Sequence, residues 1–259
     1  MTAPARNASL VADDHAHAHA HDDALVRRFL AQRAGEVPVE AVVLFGSRAR
    51  GDATPASDVD LLLVTAGPPS QRSEAYAGQA FDVIHESFES LHEGAHQRAG
   101  GNNNIRLEIL ATGRLLVDTE GRVAPLMAAA RRRFLAPAPA TPPDWAEAES
   151  ARLDAMGRSA ARLALSAAGP EAERAWRALA SMRQDDALRR CVQAVYRLER
   201  RWSSAFPVLV MRGGLAPWPV LQQGWDRLLA ADDDVAARQA VIDEVVAWTS
   251  RQLEAHGSR

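Results

Sequence analysis

Val42-Val43-Leu44-Phe45-Gly46-Ser47-Arg48-Ala49-Arg50-Gly51-Asp52-Ala53-Thr54-Pro55-Ala56-Ser57-Asp58-Val59-Asp60-Leu61-Leu62-Leu63-Val64 is two apolar runs joined by a polar bridge rich in turn formers. Each run is too short for a helix and rich in Val and Leu, so Ala41–Phe45 and Val59–Val64 are expected as buried strands. Gly46-Ser47 ends the first run as a turn would. Asp58 and Asp60 stand two apart at the head of the second strand. Side chains alternate along a strand, so the two carboxylates leave one face and Val59 leaves the other.

Two parallel carboxylates repel each other and attract a hard divalent cation. A third apolar run, Ala80–His85, carries Asp82 between Phe81 and Val83, where an unpaired carboxylate would be costly to bury. If that run lies beside the Asp58–Asp60 strand, three carboxylates meet. Such a set can hold two Mg²⁺ ions roughly 3.5–4 Å apart, the clamp used for in-line displacement at phosphorus. Gly46 allows close backbone approach of a phosphate, and Ser47 offers a hydroxyl and an N–H to its oxygens. Arg48 and Arg50 add positive charge nearby. The competing account is structural, with Asp58 capping a turn and Asp60 edging a strand.

Gly46-Ser47, ten residues, then Asp58-Val59-Asp60 resembles the signature of the DNA polymerase β nucleotidyltransferase superfamily. The wording Gly-Ser-Arg-Ala-Arg-Gly-Asp-Ala…Ser-Asp-Val-Asp-Leu is similar to its small prokaryotic members, the minimal nucleotidyltransferases and the kanamycin- and streptomycin-type adenylyltransferases. The resemblance spans about Ala24–Arg133. It implies that Asp58 and Asp60 bind both metals, and that Asp82 takes the third position as metal ligand or general base. It also implies that Gly46 and Ser47, with Arg48 and Arg50, bind the nucleotide.

Outward from this segment, Leu25, Val26, Phe29 and Leu30 recur at helical spacing. Phe88–Gln97 and Ile105–Ala111 read as helices separated by Gly100-Gly101-Asn102-Asn103-Asn104, and Arg114–Asp118 as a fourth strand. Pro137, Pro139, Pro142 and Pro143 mark a stiff linker. Asp144 and Glu147 then form a capping-box variant at the start of a helical region. There Leu188, Val192, Val195, Leu198 and Trp202 make one apolar stripe, and Val241, Val245 and Trp248 another. All six Trp follow the linker, and a helical bundle is expected to bury them. The expected architecture is therefore an α/β nucleotidyltransferase domain, a small mixed sheet with flanking helices, followed by an all-α helical bundle. The boundaries are a disordered His/Asp-rich tail at 1–22, the nucleotidyltransferase domain at 23–135, a linker at 136–143 and a helical acceptor-binding domain at 144–256.

Other patterns carry less. His92-Glu93-Gly94-Ala95-His96 matches a zinc-hydrolase motif, but Gly94 sits mid-helix and only Glu120 offers itself as a third ligand. His15, His17, His19 and His21 alternate with Ala and read as a tail without a catalytic role. Arg251 and His256 have the spacing of a helical ribonuclease pair at the chain end, which chance explains better. Glu147, Glu149 and Asp154 would suit a polycationic acceptor, though such residues are usually solvated, and His85 reads as a strand-end residue.

Bulk properties set limits. The net charge of −3 argues against a dedicated polynucleotide binder. All 30 basic residues are Arg, which excludes Schiff-base chemistry and lysine-gripped phosphates. One cysteine, Cys191, rules out an internal disulfide and points to the cytoplasm. No apolar run is long enough to span a membrane. These readings add up to an Mg²⁺-dependent enzyme that moves NMP, AMP from ATP in first place, to a hydroxyl of a small acceptor. By analogy alone, an aminoglycoside-like antibiotic is the first candidate. The alternatives are a protein adenylyltransferase with a protein partner, as in minimal-nucleotidyltransferase antitoxins, and a non-catalytic nucleotide-binding regulator.

Overall fold

The structure, a computed structural model, describes residues 20–33, 38–96, 104–142, 144–167, 174–203 and 213–257. Described residues up to Ala136 form one compact unit and those from Pro137 a second.

The first unit is built on a five-stranded mixed sheet. Its strands are β1 (Val39–Phe45), β2 (Val59–Thr65), β3 (Ser70–Tyr76), β4 (Gln79–Glu86) and β5 (Arg114–Asp118), in the order β3-β4-β2-β1-β5. β2 and β4 run parallel, and the other pairs are antiparallel. From Leu61 on, the central strand β2 is buried along both faces, as the apolar run Leu61–Val64 requires. A helix over residues 20–32, α1, lays Leu25, Val26 and Phe29 on one face of the sheet, against Val42, Leu44, Leu61, Leu63, Phe81 and Val83. Phe29 stacks on Phe81 with centroids 4.2 Å apart, and Tyr76 meets both rings edge-on. By alternation Val43 and Leu62 point to the opposite face, the side on which α4 (Ile105–Thr112) meets β1. With α3 (Phe88–His96) and α5 (Val123–Leu135) it completes that layer. The Asn104 side chain caps α4 by accepting from Leu107 N–H at 3.0 Å.

Two elements depart from the expected set. β3 lies outside the expected strands, because Ser-Gln-Arg-Ser-Glu-Ala-Tyr offers no apolar alternation. It is an exposed edge strand, and polar residues keep such an edge from pairing further. Gly46-Ser47 is the start of a one-turn helix, α2 (Gly46–Arg50), closed by Gly51 in the left-handed region at φ 81°.

The second unit is helical: α6 (Trp145–Ala167), α7 (Arg174–Leu198), α8 (Pro219–Ala230) and α9 (Val235–Gly257). Leu153, Leu188, Val192, Leu221, Ile242 and Leu253 are among its fully buried core residues. The predicted stripes are real as far as Leu198, where α7 ends. Trp202 lies beyond it, because the chain turns at Arg200 with φ 54°. Nor are all the tryptophans buried: Trp218 is, with its indole N–H donating to Glu199, but Trp176 is 44% exposed. Inside the bundle Gln184 is fully buried and donates to Val235 O and Gln239, while Glu149 is held by Arg190 and Arg152. Buried polar groups so matched cost little. Among the described residues no helix is long and apolar enough to cross a membrane.

Candidate active site

The pairing of β2 with β4 decides where the acidic residues go. In the parallel register Asp60 stands opposite Asp82, and Val59 opposite Phe81. Paired residues in register share a face, so Asp60 and Asp82 emerge side by side. Val59 and Phe81 enter the aromatic core beneath α1. Asp58 enters from the turn before β2. That turn is fixed by Ser57 N–H donating to Thr54 O at 2.9 Å and by the Ser57 hydroxyl accepting from Thr54 N–H at 2.8 Å. Carboxylate oxygens of Asp58, Asp60 and Asp82 all lie within 4.8 Å of one another. Among the described residues no other group of three or more His, Cys, Asp or Glu has metal-ligand spacing.

Three half-buried carboxylates at that distance strain one another. The Asp60 carboxyl is pushed up to about 6, first by burial, then by the charges of Asp58 and Asp82. Arg50 and Arg48 pull it partly back. An all-oxygen, all-carboxylate donor set fits a hard divalent ion such as Mg²⁺, which would remove the mutual repulsion.

Gly46 makes the arrangement sterically feasible. Its φ is +69°, and a Cβ added there would sit 2.7 Å from Asp60 Cγ and closer still to the carboxylate oxygen. Any other residue would displace the carboxylate. In the next residue the Ser47 carbonyl accepts from Gly51 and Asp52, while its hydroxyl has no protein partner among the described residues.

Arg48, expected to bind the nucleotide, has each of its three guanidinium nitrogens engaged within the protein. It donates to Ser57 O at 2.9 Å, Asp58 O at 3.0 Å, Gln79 Oε1 at 2.9 Å and Asp22 Oδ1 at 2.8 Å. This side chain therefore ties α1, α2, β4 and the turn before Asp58 together. Arg50 approaches Asp52 at 3.4 Å. Sequence reasoning missed Asp22, Gln79 and Ser73, the last of which donates its hydroxyl to Asp82 Oδ1. Ser73 stands opposite Asp82 on β3, a strand the apolar pattern could not reveal. Asp22, expected in the tail, lies on α1 and is buried.

The lesser motifs do not assemble. His92, Glu93 and His96 are exposed on α3, and the His96 ring meets the His92 carbonyl at 2.7 Å. Glu120 pairs with Arg122. His85 lies on β4 on the face opposite Asp82, and Arg251 and His256 are exposed on α9. His15, His17 and His19 lie outside the described residues, and His21 is exposed on α1.

Residues 24–97 match the family described as nucleotidyltransferase domain. This stretch fits a nucleotidyltransferase domain of the polymerase β-like kind. It contains all three aspartates together with Gly46 and Ser47, and such a domain takes an NTP as substrate. No curated protein matches the chain. A solved nucleotidyltransferase-like protein from Exiguobacterium sibiricum 255-15 aligns at 12% identity and a TM-score of 0.42, over 90% of this chain and 78% of that one.

Proposed function

We propose that the protein is an Mg²⁺-dependent adenylyltransferase that moves AMP from ATP to a hydroxyl of a small-molecule acceptor and releases pyrophosphate. The observation that carries this reading is the convergence of Asp58, Asp60 and Asp82 within 4.8 Å beside the Gly46-Ser47 bend. Asp58 and Asp60 would hold two Mg²⁺ ions, with Asp82 sharing them or serving as base. Bound there, the ions supply charge neutralisation for the triphosphate and a lower pKa for the attacking hydroxyl. The Ser47 hydroxyl and N–H donate to the β/γ oxygens, and Arg50 adds charge beside them. The acceptor oxygen forms a bond to the α-phosphorus as the bond to the bridging oxygen breaks. The acceptor's proton passes to Asp82, and the electron pair leaves with pyrophosphate. Arg48 acts through its ties, holding the backbone of Asp58 in place.

The helical unit is proposed to recognise the acceptor, and the acidic overall charge favours a cationic small molecule such as an aminoglycoside over a polynucleotide. The cytoplasm is the proposed compartment. The test is pyrophosphate release with Mg²⁺, each NTP in turn and a panel of hydroxylated acceptors, beside the Asp58→Asn/Asp60→Asn double variant. Release with ATP above other NTPs, abolished in the double variant, is the expected outcome. Turnover that survives in the double variant refutes the mechanism.

A further inference from the structure

The strands that carry the carboxylates have a second, differently furnished face. Phe81, Val83 and His85 alternate with Asp82 and so point away from it, and Leu63 does the same on β2. Between this face, the end of α1 and the edge strand β3 lies a cavity of about 550 Å³. That size is typical of small-molecule sites. Its floor is hydrocarbon, with Val42, Leu63 and Val83 almost fully buried and Phe29 also lining it. Its rim is charged. Arg33 pairs with Glu74 and lies over the Phe29 ring at 4.7 Å, so that pair is internally balanced. Arg72 is different: it lines the same cavity, stands in register beside Val83 on β3, is exposed, and has no partner among the described residues.

An apolar floor of this size beneath one unbalanced guanidinium is complementary to a molecule with a hydrocarbon body and a single anionic head. We propose that this cavity is a binding site for a free amphiphilic carboxylate, with the chain on Val42, Leu63 and Val83 and the head on Arg72. Burial of the hydrocarbon supplies the drive, and the guanidinium fixes the direction of entry. The site lies across the sheet from the aspartates and stands whether or not the chain transfers nucleotides.

The experiment is titration calorimetry of the full chain with decanoate, kept below its aggregation concentration, beside decanol and the Arg72→Ala variant. Methyl-labelled NMR locates the site, and sedimentation equilibrium is run on the same samples. Expected are one decanoate per chain, shifts of the Val42, Leu63 and Val83 methyls, and about tenfold weaker binding in Arg72→Ala. Decanol should bind the wild type about as weakly as decanoate binds the variant. Equal binding of decanol and decanoate to the wild type, or shifts confined to the helical unit, overturns the proposal. So does absence of binding. A dimer that dissociates as decanoate is added would assign the cavity to a second copy of the chain, and this also overturns it.

Discussion

At the scale of single residues, Gly46 and Asp60 form one steric and electrostatic unit. Gly46 has a positive φ and no room for a Cβ beside the Asp60 carboxylate. Gly46→Ala should therefore cost about 1–2 kcal/mol for the backbone conformation alone. It should also turn Asp60 out of the cluster, so that Mg²⁺ no longer raises the melting temperature; urea titration and thermal melts with and without Mg²⁺ check both effects. A variant as stable as wild type and equally responsive to Mg²⁺ contradicts the geometry. Asp60 itself carries a pH signature. Its carboxyl is pushed up to about 6 in the folded, metal-free protein, from an ordinary value of 3.8. Between those values the unfolded chain releases its proton first. The Asp60 penalty is thus absent below about 4, grows as pH rises, and is complete above about 6. Asp60→Asn has no such term. In EDTA its melting temperature should gain on wild type by about 2–4 °C from pH 4 to pH 7, a figure discounted for the half-exposed site. A difference independent of pH would mean that Asp60 is not raised.

At the scale of elements, the site depends on ties that hold strands and turns at fixed offsets. Arg48 is the clearest, because its guanidinium joins α1, β4 and the backbone before Asp58. Its ion pair with Asp22 is largely buried, at 11% and 7% side-chain exposure. Removing one partner of such a pair costs about 3–5 kcal/mol. Arg48→Met should lose stability on that order and lower turnover, since Asp58 loses its anchor. A double-mutant cycle with Asp22→Asn should return a coupling of about 1–3 kcal/mol by urea unfolding. Additive losses would show that the pair is incidental. The same element view explains what the sequence reveals. β1, β2 and β4 are legible because buried central strands must be apolar, and Asp58, Asp60 and Asp82 are legible because carboxylates interrupt that pattern for a reason. Ser73 and Asp22 are not. One sits on a polar edge strand whose pairing depends on its neighbour, and the other precedes the apolar stripe of α1 at a position that local pattern cannot distinguish from a tail. Arg48 shows a further limit: residue type and spacing mark a cation near the site, but only the fold decides that backbone carbonyls, Gln79 and Asp22 claim it.

At the scale of the whole molecule, each unit has a core of its own. In the helical unit Leu153, Leu188, Val192, Leu221, Ile242 and Leu253 are all but fully buried, drawn from all four described helices. Its buried Gln184 and Glu149 find their partners within it. A unit with an apolar core of its own should fold when cut at the Pro-rich stretch. The fragment 137–259 is therefore expected to unfold in urea as one cooperative transition, with strong helical circular dichroism. All six tryptophans lie in this fragment, so fluorescence reads it alone. Trp218 should keep a blue-shifted emission that is lost at the same urea concentration as the helix signal. Leu188→Ala in the fragment should lower its stability by about 2–5 kcal/mol, as loss of a fully buried leucine does. A fragment that binds hydrophobic dye and melts without cooperativity would mean that its packing depends on the nucleotidyltransferase unit. The proposed acceptor recognition could not then be assigned to the helices alone.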